Sequence, residues 1–99
     1  MDRLERLKKT LEFIEEKGTD EANFDLIHNR LVYEIQCESK GVLDGENQYL
    51  NGLKCNKENE ADDYKIAKRA NPKSAHLSLF DEFVFEFKLD VTNAIEDIL

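Results

Sequence analysis

The sequence predicts an all-α domain, a small helical bundle, and three observations carry that prediction. Leu4, Leu7, Leu11 and Ile14 recur at three-four-three spacing, and Phe24, Ile27, Leu31 and Ile35 follow with the same repeat, which places each set on one face of a helix. Near the other end Phe80, Phe83, Val84, Phe87, Val91, Ala94, Ile95 and Ile98 keep that period for five turns' length of chain. The chain has four glycines and one proline in 99 residues, too few breakers for a many-turned β-sandwich or a disordered chain. Its length fits one domain, residues 1–99.

The first helix is the narrow seam of Leu4, Leu7, Leu11 and Ile14, with Glu12, Glu15 and Glu16 off it; such a seam packs against another helix. Lys17 and Gly18 supply a basic last turn and a left-handed stop. Thr19 or Asp20 then caps the second helix, where Leu26, Val32 and Tyr33 widen the apolar coverage. A linker of about two or three residues joins them, which forces an antiparallel hairpin. Ser39-Lys40-Gly41 ends it.

From Gly41 to Asn56 the turn dipeptides Asp44-Gly45 and Asn51-Gly52 predict an irregular loop, with a short hairpin around Tyr49-Leu50 as the alternative. The loop is pinned by Val42, Leu43, Tyr49, Leu50 and Leu53. In residues 57–70, Glu58, Glu60, Asp62 and Asp63 precede Lys65, Lys68 and Arg69, the order that complements a helix dipole. Ala61, Tyr64, Ile66, Ala67 and Ala70 do not share a face, so this third helix is marginal and the element expected to be mobile.

Asn71-Pro72 predicts the next helix start, with Ser78 and Asp81 as a second candidate. Four of the six phenylalanines stand between Phe80 and Phe87, and they fit two periods. A strand over 83–91 puts Phe83, Phe85, Phe87, Leu89 and Val91 on one face, which makes α+β the alternative fold class. That template fails at Thr92-Asn93-Ala94-Ile95, whereas the helix runs on to Ile98 and leaves only Phe85 and Leu89 on its flank. Glu82, Glu86, Asp90, Asn93 and Asp97 then fall opposite the apolar stripe. The helix accounts for more of the chain.

The function classes narrow by exclusion. No apolar run reaches the roughly 20 residues of a membrane span, and the N-terminus lacks a signal-peptide core, so the expected location is cytoplasmic. Cys37 and Cys55 are expected to be reduced. A metal site joining them to His28 and His76 has no ligand-pair spacing behind it, and no metal or cofactor is expected. Glycine-rich phosphate loops, Gly-x-Ser-x-Gly and His-Glu-x-x-His are all missing, and Asp62-Asp63 has no fixed neighbour to tune it for acid–base work. The hairpin resembles in outline the two-helix sporulation-regulating phosphatases. Their Ser-Gln-Glu-Leu-Asp hallmark is replaced here by His28-Asn29-Arg30-Leu31-Val32, which rejects that family.

The net charge is −8. Residues 18–39 hold five acids against Arg30, and residues 74–99 hold six against Lys88, whereas residues 57–73 hold five bases against four acids. Such a surface repels phosphate, so direct nucleic-acid binding is not expected. The reading is a small acidic, non-enzymatic protein that binds and modulates or inhibits a larger protein with a basic surface. Short length, absent catalytic motifs and concentrated acid are also typical of phage and mobile-element inhibitors, by association. The candidate contact residues are Glu82, Phe85, Glu86, Leu89 and Asp90, an apolar anchor beside a charged rim. Two alternatives stand: a DNA mimic whose acid row occupies a nucleic-acid channel, and a homodimer sealed through Leu4, Leu7, Leu11 and Ile14.

Overall fold

A computed structural model describes residues 2–41 and 47–99. It is a compact all-α bundle, with no strand among the described residues. The rods are α1 (Arg3–Lys17), α2 (Phe24–Gly41), a third built from α3 (Gln48–Gly52), a π-helical turn (Leu53–Lys57) and α4 (Glu58–Ala70), and α5 (Leu77–Ile98). The backbone stays right-handed helical through both joints of the third rod.

α1 and α2 form the predicted hairpin. Asp2 caps α1 by accepting from the Glu5 amide, and Asp20 accepts from the Ala22 amide in a short 3-10 turn (Glu21–Asn23) ahead of α2. Gly18 departs from expectation. Its φ of −76° is not left-handed. A Cβ there would stand 2.6 Å from the Ile14 carbonyl oxygen of α1 and 2.6 Å from Val84 Cγ1 of α5, so glycine is required by the last turn of its own helix and by the close approach of α5.

The register of the hairpin is fixed by buried polar pairs. Arg3 Nη2 donates to Glu38 at 2.8 Å, Arg6 bridges Glu34 and Glu38, and the Thr10 hydroxyl donates to Glu34. Pairs 3–38, 6–34 and 10–30 run in opposite chain directions, which makes the hairpin antiparallel; Arg30 Nε donates to Thr10 Oγ1 at 2.8 Å. A slip by one turn would leave the buried charges of Arg6, Glu34 and Glu38 unpaired, at a cost of about 3–5 kcal/mol per broken buried pair; Arg3, whose side chain is 43% exposed, adds less. Tyr49 closes the end of this seam; burial and the nearby charges of Glu34 and Glu38 push its phenol pKa upward.

One core joins all four rods: Leu7 and Ile14 from α1, Phe24, Ile27 and Leu31 from α2, Leu53, Ala61 and Tyr64 from the third rod, and the inner face of α5. Leu7 and Ile14 are fully buried, so the seam proposed for a dimer is already spent on α2 and α5. On α2, Leu26, Val32 and Tyr33 face outward instead of widening the core.

Two expectations for the middle of the chain are corrected. Residues 48–53 are helical, not an irregular loop or hairpin, because Asn47 caps α3 through the Leu50 amide; Val42, Leu43 and the Asp44-Gly45 turn lie outside the described residues. α4 is no marginal helix without a buried side. Its buried Ala61 and Tyr64 continue the inner stripe of Leu50, Leu53 and Lys57 from α3 and the π turn, hidden from a hydrophobicity reading because a lysine sits in the middle of it.

α5 starts at Leu77, so neither Asn71-Pro72 nor Ser78 is its first cap. Asn71 instead ends α4, its amide donating to the Ala67 carbonyl. The side chain at the start of α5 comes from elsewhere: Glu21 Oε1 accepts from the His76 amide and from the Tyr64 hydroxyl, both at 2.9 Å. These contacts, the His76 amide foremost, hold the Glu21 carboxyl below its ordinary pKa. Burial and the Glu21 carboxylate push Tyr64 up to about 12.

Candidate partner-binding face

α5 is the rod on which the two-period ambiguity turned, and it is a helix throughout 83–91. At about 100° per residue, Phe80, Phe83, Phe87, Val91, Ala94 and Ile95 point into the core and are all buried. Phe85 and Leu89 point out. Phe85 is 63% exposed and Leu89 42%. No segment among the described residues covers them.

The acids beside them are not equivalent. Glu82 is exposed, whereas Glu86 and Asp90 are half-buried. Lys57 explains the difference. It leaves the π turn with its side chain only 3% exposed and places Nζ 3.3 Å from Asp90, 3.9 Å from Glu86 and 3.7 Å from Glu60. The acid row is therefore interrupted by an internal counter-ion, whose stem is buried while its head sits among three carboxylates. Burial pushes the Glu60 carboxyl above its usual range, and Glu86 and Glu82 add to this, against the pull of Lys57.

The five candidate residues are thus brought together on one side of α5, at i, i+3 and i+4 spacings. They differ in freedom: Glu82, Phe85 and Leu89 face solvent, and Glu86 and Asp90 face both solvent and Lys57. Sequence reasoning missed Lys57. Its signal was present as a lysine at the helical phase of Leu53 and Ala61, but only knowledge that this phase points inward gives it meaning.

The buried polar seam between α1 and α2 was also missed. Burial pushes the Glu34 carboxyl up, against the Thr10 hydroxyl and the charge of Arg6. Burial acts in the same direction on Glu38, but the hydrogen bonds from Arg3 and Asn47 and the charges of Arg3 and Arg6 outweigh it and hold Glu38 low. Arg6 Nε and Glu34 Oε2 face each other at 3.2 Å as an ion pair without hydrogen-bond geometry.

His28 stacks on Phe24, with ring planes 3° apart, and burial together with the nearby charge of Lys65 lowers its pKa. Cys37 is half-buried and Cys55 exposed, both as free thiols. Among the described residues no group of three or more His, Cys, Asp and Glu side chains is arranged to hold a metal ion. None of the described helices is long and apolar enough to cross a membrane. No protein-family model, curated protein or solved structure matches the chain.

Proposed function

We propose that this chain is a small, acidic, non-enzymatic protein that binds a larger protein through the outer face of α5 and modulates or inhibits it. The observation that carries the reading is Phe85. A phenylalanine 63% exposed, in the middle of a helix whose other phenylalanines build the core, joins the exposed Leu89 in an apolar patch of the kind that marks interaction sites. With Leu89 one turn away and Glu82 and Glu86 beside it, it has the make-up of an interface anchor inside a charged rim. The anionic rim favours a partner whose matching surface is basic.

Lys57 argues for this reading over the DNA-mimic alternative. A mimic needs an unbroken row of free negative charge to replace a phosphate backbone, and here two of the row's four acids, Glu86 and Asp90, already share an ammonium. The remaining free charge is better suited to a rim than to a channel.

The test is a direct titration. A protein captured by the wild-type chain from extract of its native cell is purified and its affinity measured for wild type, Phe85→Ala and Glu82→Lys. The reading expects at least a tenfold loss for Phe85→Ala, a smaller loss for Glu82→Lys, and a wild-type affinity that falls only modestly with salt. Unchanged affinity in both variants would refute the face. A fall by orders of magnitude between low and moderate salt would favour the mimic instead.

A further inference from the structure

The structure carries a second uncovered surface, opposite in charge to the α5 face. A groove of about 480 Å³ opens between the start of α2 and the later turns of α4. Its floor is the edges of Phe24 and Tyr64, core rings 4.1 Å apart and each only 5% exposed, with the exposed Pro72 beside them. Lys65, Lys68 and Arg69 stand along it, with Asp25 as the one acid among the lining residues.

The bases differ in how far they are committed. Lys68 Nζ donates to the Ser74 carbonyl at 2.9 Å and lies 3.8 Å from Glu21. Lys65 and Arg69 form no ion pair among the described residues. The groove therefore offers two free cations over an aromatic floor, on a chain whose net charge is −8. Its complement is an anionic segment bearing an exposed apolar side chain. The chain displays that chemistry itself, at Glu82, Phe85 and Leu89 on α5.

We propose that the groove receives the outer face of α5 from a second copy of this chain. Phe85 of one copy lies over the Phe24–Tyr64 floor of the other, and Glu82 faces Lys65 and Arg69. The two surfaces are unlike, so the contact is heterologous: it closes only if both copies can exchange faces about one axis, and otherwise runs head to tail. One helix face in one groove falls short of the about 1,200 Å² that marks standard stable complexes, so the association is weak and concentration-dependent. Two copies of net charge −8 also repel at long range. That repulsion is screened beyond a Debye length of about 8 Å at physiological salt, while charge pairs in contact are screened less. Association is accordingly strongest at intermediate salt and weaker at either extreme.

Charge reversal tests the pairing. Glu82 and Arg69 are both exposed, so Glu82→Lys and Arg69→Glu leave the fold intact, which far-UV circular dichroism verifies. Sedimentation equilibrium is run from about 10 μM to about 1 mM, the window for weak complexes. The average mass of wild type rises with concentration. Each single variant associates at least tenfold more weakly, and an equal mixture of the two recovers association, because the intact α5 face of Arg69→Glu meets the intact groove of Glu82→Lys and the two reversed surfaces also match. A wild type that stays monomeric throughout overturns the proposal and leaves the groove to a segment of another protein. So does a mixture no better than its components, or single variants that associate like wild type. Arg69→Glu leaves the α5 face untouched, so self-association can fail while the partner titration above succeeds, and the converse. Where both hold, the second copy masks the face that the partner needs, and protein concentration sets how much of it is available.

Discussion

Gly18 and Gly52 both belong to helical surroundings, and they are glycines for different reasons. At Gly18 any side chain would collide with the Ile14 carbonyl and with Val84, each 2.6 Å from the added carbon. At Gly52 φ and ψ are −60° and −43°, and the nearest atom to an added carbon is Asp90 Oδ2 at 3.6 Å, an ordinary contact. Gly52→Ala should therefore stabilise the protein by about 0.5–1 kcal/mol, from the entropy glycine loses in a helix. Gly18→Ala should destabilise it by about 1–3 kcal/mol, the usual cost of overpacking. Urea denaturation of the two variants measures both signs. Acid sensitivity is also settled residue by residue. Glu38 has a lowered pKa in the fold, so its contribution is complete above the unfolded carboxylate value and is lost as pH falls through the folded one. Glu34 has a raised pKa, so its penalty on the fold is felt at neutral pH and is relieved as pH falls. Stability measured against pH below the ordinary glutamate value of 4.5 should fall more gently in Glu38→Gln than in wild type. The sequence carried a faint trace of this seam: Glu34 and Glu38 continue the three-four spacing of Phe24, Ile27 and Leu31. What it lacked was the knowledge that Arg3 and Arg6 stand opposite them, which is a tertiary fact.

Elements were legible in proportion to how clean their apolar stripes are. α1, α2 and α5 announce themselves because leucine, isoleucine and phenylalanine recur on one face without interruption, and the hairpin follows from the short linker. α3 and the π turn did not, since Asn51-Gly52 looks like a turn and Lys57 occupies an inward position. The start of α5 was misplaced because the acid that meets it, Glu21, is 55 residues away. Lys57 is where this scale can be tested. Replacing it by methionine keeps the packing of its stem but leaves Glu60, Glu86 and Asp90 facing one another. A fully buried pair would cost about 3–5 kcal/mol when broken; these carboxylates are a quarter to two fifths exposed, so Lys57→Met should cost about 1–3 kcal/mol at neutral pH. The sign of its pH dependence is diagnostic. Glu60 is already raised by burial and loses the opposing pull of Lys57, so the folded variant holds its proton more tightly than the unfolded chain does, and stability rises as the solution is acidified toward pH 5. A variant whose loss is the same at pH 5 and pH 8 would show that the lysine acts through packing alone.

At the scale of the whole molecule, α5 is shared between two tasks. Its inner face supplies more of the core than any other rod, and its outer face carries the residues nominated for binding. The all-α class and the choice of helix over strand at 83–91 were legible because the apolar repeat of α5 outlasts any strand reading by two turns. The candidate face was legible as a list of residues, but not the division within it between free and tethered acids, because Lys57 reaches Glu86 and Asp90 from another rod. The basic groove was not legible at all: Phe24 and Tyr64 come from helices separated by 40 positions of sequence. The whole account requires that neighbouring phenylalanines on α5 do opposite things. The most direct measurement is the stability of Phe85→Ala against Phe87→Ala by chemical denaturation. Phe87 is fully buried, and its truncation should cost about 3–5 kcal/mol, whereas Phe85→Ala should cost less than about 1 kcal/mol. Equal losses at the two positions would mean that Phe85 is part of the core, and that the outer face of α5 has no free anchor to offer.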